Sequence, residues 1–163
     1  MRAAGVALLV AAWPACNSNL SPPRPTETPS LDFVMTDMAG QEVALADFRG
    51  KPLLINFWAT WCGPCKIEVP WFVEFTERYK EQQFTVVGIS LDDPVEEIRA
   101  FAEQYQVNYT MLVGKGREEV ARAYGAEAVL PVTWLIRPDG SVQAKAIGIH
   151  GKEWFESQIE AMF

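Results

Sequence analysis

The stretch Asn56-Phe57-Trp58-Ala59-Thr60-Trp61-Cys62-Gly63-Pro64-Cys65-Lys66 joins two kinds of sequence. Residues 52–58 form a nearly continuous apolar, β-prone run, the pattern of a central strand covered on both faces. A helical pattern follows: Gly63 permits a tight turn, and Pro64 suits an early helical position, where no N–H bond is lost. The two cysteines, spaced C-x-x-C, therefore arrive on the first turn of a helix. Cys62 faces unpaired backbone N–H groups and the positive end of the helix dipole, both of which favour thiolate over thiol. Cys65 lies one turn deeper on the same face. Lowering a cysteine pKa from about 8.5 to about 7 takes roughly 2 kcal/mol, near the upper end of what a partly buried helix terminus supplies. This is the layout of a dithiol built for exchange chemistry. Two blander uses of such a pair are a structural staple and half of a zinc site. A structural zinc takes four Cys or His ligands, and the chain has three cysteines and a single histidine, His150.

The 163 residues, 49% of them hydrophobic, fit one globular domain with short appendages. A net charge of −7 with no basic cluster argues against nucleic-acid binding and against electrostatic adhesion to anionic lipid. The first sixteen residues stand apart. Arg2 gives a positive start, residues 3–13 are an apolar run too short to span a bilayer, and Pro14-Ala15-Cys16 follows, which reads as a secretory signal. Its end resembles the lipobox of bacterial lipoproteins, in which a small residue precedes the cysteine that is lipidated. Ala15 and Cys16 fit that pattern, while Trp13 stands where leucine is usual and Pro14 is atypical. Ordinary cleavage nearby and an uncleaved signal anchor are the alternatives. All three place the body of the protein outside the cytoplasm.

Residues 17–30, rich in Pro, Ser, Thr and Asn, read as a disordered or extended tether. The expected organisation is thus a leader over 1–16, a tether over 17–30 and one domain over 31–163. With Cys16 ending the leader and two cysteines in C-x-x-C, none remains for structural bridges, which favours cycling chemistry in an exported domain.

Within the domain, Asp32-Phe33-Val34-Met35 and Glu42-Val43-Ala44-Leu45 predict a hairpin, and the helix after the cysteines is expected to reach about residue 82 with a kink at Pro70. A second buried strand spans 84–90. Asp93-Pro94 matches an N-cap followed by proline at the first helical position, opening a helix to about residue 105. A short strand over 109–113 and a helix over 118–124, ended by Gly125, come next. Strands at 132–136 and 142–147 flank Arg137-Pro138-Asp139-Gly140 as a β-hairpin, and Trp154, Ile159 and Met162 mark a last helix. No phosphate-binding glycine loop is present in the sequence. The order predicts an α/β fold, a mixed β-sheet flanked by helices.

Together with Glu68, Pro70, Leu130-Pro131-Val132-Thr133 and Pro138-Asp139-Gly140, the opening stretch resembles thioredoxin-like proteins over residues 31–163. Specifically it looks like the exported, membrane-tethered TlpA/ResA type of thiol-disulfide oxidoreductase, related to the redoxin and AhpC/TSA proteins. The N-terminal β-hairpin and the βα insertion near 91–116 also look like that branch. The resemblance implies roles for named residues. Cys62 and Cys65 would form the redox-active disulfide, with Cys62 attacking and Cys65 resolving, and Pro131 would be a cis-proline facing it. Trp61, Gly63, Pro64 and Leu130 would border the substrate together with Pro131. Glu68 matches an acidic residue that this branch keeps near the pair. Where cytoplasmic thioredoxins have a buried aspartate, this chain has Asn56, which cannot exchange a proton and leaves that task to Glu68.

The implied partners are disulfide-containing proteins and a membrane thiol-electron donor, with no cofactor or metal required. Cytochrome c maturation is the process the resemblance implies. A copper-handling thioredoxin-fold protein is an alternative, but Thr133-Trp134-Leu135-Ile136-Arg137 lacks the downstream histidine of such sites. A peroxiredoxin-like peroxidase is another, and the P-x-x-x-[TS]-x-x-C setting is missing.

Overall fold

A computed structural model describes residues 29–163. The leader, Cys16 and the tether up to residue 28 lie outside the described residues. The apolar run after Lys51 forms strand β3 (Leu53–Trp58), with every residue buried. It lies within a seven-stranded mixed sheet of order β2-β1-β5-β4-β3-β6-β7. The other strands are β1 (Val34–Asp37), β2 (Glu42–Ala44), β4 (Thr85–Ser90), β5 (Thr110–Val113), β6 (Val132–Ile136) and β7 (Val142–Ile147). β4 runs parallel to both β3 and β5, whereas β6 lies antiparallel to β3 with Leu53 opposite Ile136 and Phe57 opposite Val132. Four helices pack on the sheet: α1 (Gly63–Arg78), α2 (Val95–Gln104), α3 (Glu118–Tyr124) and α4 (Lys152–Glu160).

Alternation along β3 divides the core. Leu53, Ile55 and Phe57 face one side, with Val87, Ile89, Val120, Tyr124 and Trp134. Leu54 faces the other side, among Phe72, Phe75, Leu135, Phe155 and Ile159, and Trp58 closes that side near the cysteines with Val69, Ile98, Phe101 and Met111. The sheet thus presents Trp58 and the following loop at one pole. At the opposite pole, where β3 begins, Pro29, Ser30 and Leu31 border a cavity of about 300 Å³ with Leu53, Ile136 and Pro138.

Several predicted elements fall elsewhere than expected. The first strand is shifted to Val34–Asp37, and Leu45 opens a 3-10 turn (Leu45–Phe48) where the second strand was expected to continue. α1 continues through Pro70 and ends at Arg78, and a separate 3-10 turn (Lys80–Gln82) follows before Gln83 takes a left-handed φ of 58°. Tyr79, 7% exposed at the break, packs on Phe75 and Phe84, so tertiary burial ends the helix before its polar continuation does. Asp93 does not cap α2: Pro94 is the residue before that helix, and no side chain caps it. Gly125 ends α3 with a φ of 63°, and Gly140 closes the β6–β7 turn with a φ of 83°.

Candidate active site

β3 delivers the chain into a turn in which the Cys62 N–H donates to the Ala59 carbonyl at 3.1 Å. Cys62 then caps α1 from outside the helix (φ −74°, ψ 106°), and its Sγ accepts the Cys65 N–H at 3.2 Å. A thiolate at this sulfur would have that same N–H and the helix terminus to stabilise it. Cys62 and Cys65 are joined as a disulfide, with S–S 2.02 Å and Cα–Cα 5.3 Å. In this state Cys62 is 3% and Cys65 1% exposed, so position on the helix, more than exposure, distinguishes them. Gly63 and Pro64 are both exposed beside the pair, and Trp61 is 64% exposed.

The Leu130–Pro131 peptide bond is cis. Leu130 packs on the same cluster as both cysteines, which brings this turn to the dithiol. The Pro131 carbonyl accepts the Gly148 N–H at 2.8 Å, so the loop after β7 is fastened to the turn as well. Proline at 131 offers no N–H of its own. A shallow groove of about 300 Å³ is bordered by Trp61, the residue before Cys62, and by Leu91, Val129 and Leu130 among others. Val129 and, on the neighbouring surfaces, Ile67 and Ile149 add exposed apolar side chains.

Glu68 lies three residues after Cys65 on α1 and is fully buried. Its Oε1 accepts the backbone N–H of His150 at 3.1 Å, and its Oε2 has no hydrogen-bond partner among the described residues. Burial pushes the carboxyl up to about 7, and the His150 amide only partly opposes this. Asn56 is also buried, its Nδ2 donating to the Thr133 hydroxyl at 2.9 Å and so tying β3 to β6. Asn56 thus spends its amide on a core hydrogen bond between strands, and Glu68 is a buried carboxyl on α1 three residues past Cys65. The His150 contact was beyond sequence reasoning, because it joins backbone to side chain across 82 positions. The His150 ring itself lies tilted against Trp154, with ring centroids 4.5 Å apart. Among the described residues no group of three His, Cys, Asp or Glu side chains is arranged to hold a metal ion.

Comparison with known proteins agrees with this geometry. The profile of the AhpC/TSA family matches residues 26–145. The thiol-disulfide oxidoreductase ResA of Bacillus thuringiensis subsp. konkukian is 34% identical over 129 residues, 79% of this chain and 73% of that protein. Its counterpart from Geobacillus kaustophilus is 34% identical over 131 residues, covering 80% and 74%. Among solved structures, a thiol:disulfide interchange protein of the thioredoxin family from Chlorobium tepidum superposes with a TM-score of 0.74 at 25% identity, covering 87% of this chain and 99% of its own. A secreted disulfide oxidoreductase from Mycobacterium tuberculosis shares the fold, with a TM-score of 0.73 at 23% identity over 80% and 96% of the two chains. The thioredoxin-like sheet, the C-x-x-C pair on its helix and these relatives together place the chain: it belongs to the AhpC/TSA family and is a thiol-disulfide oxidoreductase of the ResA type.

Proposed function

We propose that this chain reduces protein disulfides outside the cytoplasm, with cytochrome c maturation as its setting. The observation that carries the proposal is Cys62 Sγ at the start of α1, accepting the Cys65 N–H and bordered by exposed Trp61 and the cis-proline turn. In the reduced protein the Cys62 thiolate attacks one sulfur of a substrate disulfide; that S–S bond breaks, and the other sulfur leaves as a thiolate that takes up a proton. A mixed disulfide results. Cys65 then gives its proton to Glu68 and attacks Cys62 Sγ, releasing the second substrate thiol and forming the Cys62–Cys65 disulfide. Two electrons have passed from the enzyme dithiol to the substrate. A membrane dithiol donor returns them by the same exchange in reverse.

Trp61 and Leu130 border the groove in which the substrate segment lies, exposed Gly63 and Pro64 follow Cys62 beside it, and the missing N–H at Pro131 leaves neighbouring backbone free to pair with that segment. Glu68 suits its role because a carboxyl with affinity near pH 7 both accepts and returns a proton at working pH. The secretory pattern of residues 1–16 supports location outside the cytoplasm, and lipidated Cys16 serves as the tether to the membrane.

The test is to trap the intermediate. Expressed in the native host, Cys65→Ser accumulates disulfide-linked adducts that dithiothreitol dissolves, and Cys62→Ala accumulates few. Apocytochrome c, or a partner bearing C-x-x-C-H, among the adducts supports cytochrome maturation, while many unrelated exported proteins indicate a general reductase. If neither variant traps a partner and the wild type retains stoichiometric copper, the copper-handling reading takes its place.

A further inference from the structure

The loop after β4 carries a buried carboxylate that the exchange chemistry does not use. Asp93 is 3% exposed, and no ion pair among the described residues includes it. Its Oδ2 accepts the Thr60 N–H at 2.8 Å and the Ser90 hydroxyl at 2.5 Å, and its Oδ1 accepts the Thr60 hydroxyl at 2.6 Å. A carboxylate meeting three donors and no cation is serving geometry. Its footing is firm. Ser90 is fully buried, and its carbonyl accepts the Gly114 N–H at 2.7 Å. The approach is so close that a Cβ at Gly114 would lie 2.6 Å from that oxygen.

The other end of this bracket reaches the reacting sulfur. Thr60 and Trp61 are the central residues of the turn closed by the Cys62 N–H on the Ala59 carbonyl. Asp93 holds both donors of the first, backbone and side chain, while the second stays 64% exposed. We propose that Asp93 is a positioning residue for Cys62: by gripping Thr60 it holds the turn 59–62 in the shape that aims Cys62 Sγ at the first N–H groups of α1. The inference rests on Cys62 being the attacking sulfur.

Removing Asp93 has two possible consequences for Cys62, and they differ in sign. Loosening the turn costs the thiolate its N–H partners and raises the thiol pKa. Deleting a nearby negative charge lowers it. The other charged groups around the turn are Glu97, whose Oε2 lies 3.5 Å from the Thr60 hydroxyl, Lys66, which borders a pocket with Thr60, and Asp92 and Glu127, which line the groove beside Trp61; Glu68 is buried on α1 beyond Cys65. A neutral change at Thr60 leaves all of these charges in place.

The experiment measures iodoacetamide alkylation of the reduced full-length protein against pH, with the modified cysteine located by mass spectrometry. Asp93→Asn, which replaces one acceptor oxygen by a donor, is expected to raise the midpoint and slow alkylation of Cys62 near pH 7 by about tenfold. Thr60→Val, which keeps the backbone bond, moves the midpoint the same way with a slowing of about threefold. Thr60→Ser, which keeps the hydroxyl, retains the wild-type midpoint. Should Asp93→Asn fail to fold, Thr60→Val decides the matter alone. Unchanged midpoints, with or without a lower unfolding temperature, would reduce Asp93 to a structural role and overturn the proposal. A midpoint that falls overturns it as well, because the charge and not the grip would then govern Cys62. Preferential modification of Cys65 in the wild type is a separate result: it removes the nucleophile assignment on which the proposal rests.

Discussion

A carboxyl group with one oxygen hydrogen-bonded and the other buried without a partner is tolerated in a core more easily when protonated. Glu68 is such a group, lifted from an ordinary 4.5 to about 7 by burial. Between those values the folded chain keeps a proton that the unfolded chain has lost. Stability therefore falls as pH rises from about 4.5 to about 7 and is flat beyond, a loss of about 3 kcal/mol from this group. Glu68→Gln should abolish that slope, which urea unfolding at pH 5 and pH 8 will show. The same variant should alter the pH dependence of resolution by Cys65, read from the decay of the mixed disulfide. At this scale the sequence exposes residues whose meaning is local, such as the cysteine pair and the proline after Leu130. It does not expose Asp93, whose Asp-Pro context fits an N-cap. The demand that claims its side chain comes from Thr60, 33 positions earlier.

β4 and β5 meet where side chains leave little room. Gly114→Ala would drive a Cβ to 2.6 Å from the Ser90 carbonyl oxygen, a backbone atom that cannot swing aside, and 2.9 Å from Ile89 Cγ2. We expect a loss of about 2 kcal/mol in denaturant unfolding. Gly63→Ala, with nothing within 4 Å of the added Cβ, should leave stability within about 0.5 kcal/mol. The contrast separates a glycine kept for space from one that packing does not require. Apolar strands were readable because their burial is uniform, as in β3, or because a turn such as Pro138-Asp139-Gly140 fixes the hairpin. The end of α1 was not. Lys80-Glu81-Gln82-Gln83 is a good continuation of a helix, and only the burial of Tyr79 against Phe84 shows why the chain leaves it.

For the whole molecule, the mixed sheet and its flanking helices follow from the order of elements. The seat of the N-terminal hairpin beside β5 does not, because β1 joins a strand 73 residues downstream through only two paired positions, Thr36 with Val113 and Asp37 with Leu112. The membrane attachment we propose has its own test. Cys16→Ser should release the protein from membranes into the soluble exported fraction, as followed by fractionation and immunoblot, and persistent membrane association would favour an uncleaved anchor over a lipid.

The described chain begins at Pro29 and Ser30, beside Leu53 at the end of the sheet where β3 starts, while Cys62 follows the other end. The six residues of β3 put about 20 Å between the two poles. If the N-terminal membrane attachment we propose holds, the domain would carry its dithiol on the side away from the mooring. It meets a disulfide borne by a freely diffusing chain head-on. A donor thiol at the bilayer surface is reached only when the domain tips over on its mooring. With the membrane donor and anchor we propose, recharging would be the orientation-limited half of the cycle, and deleting residues from the 17–28 segment should slow re-reduction in membranes before it slows attack on a soluble disulfide.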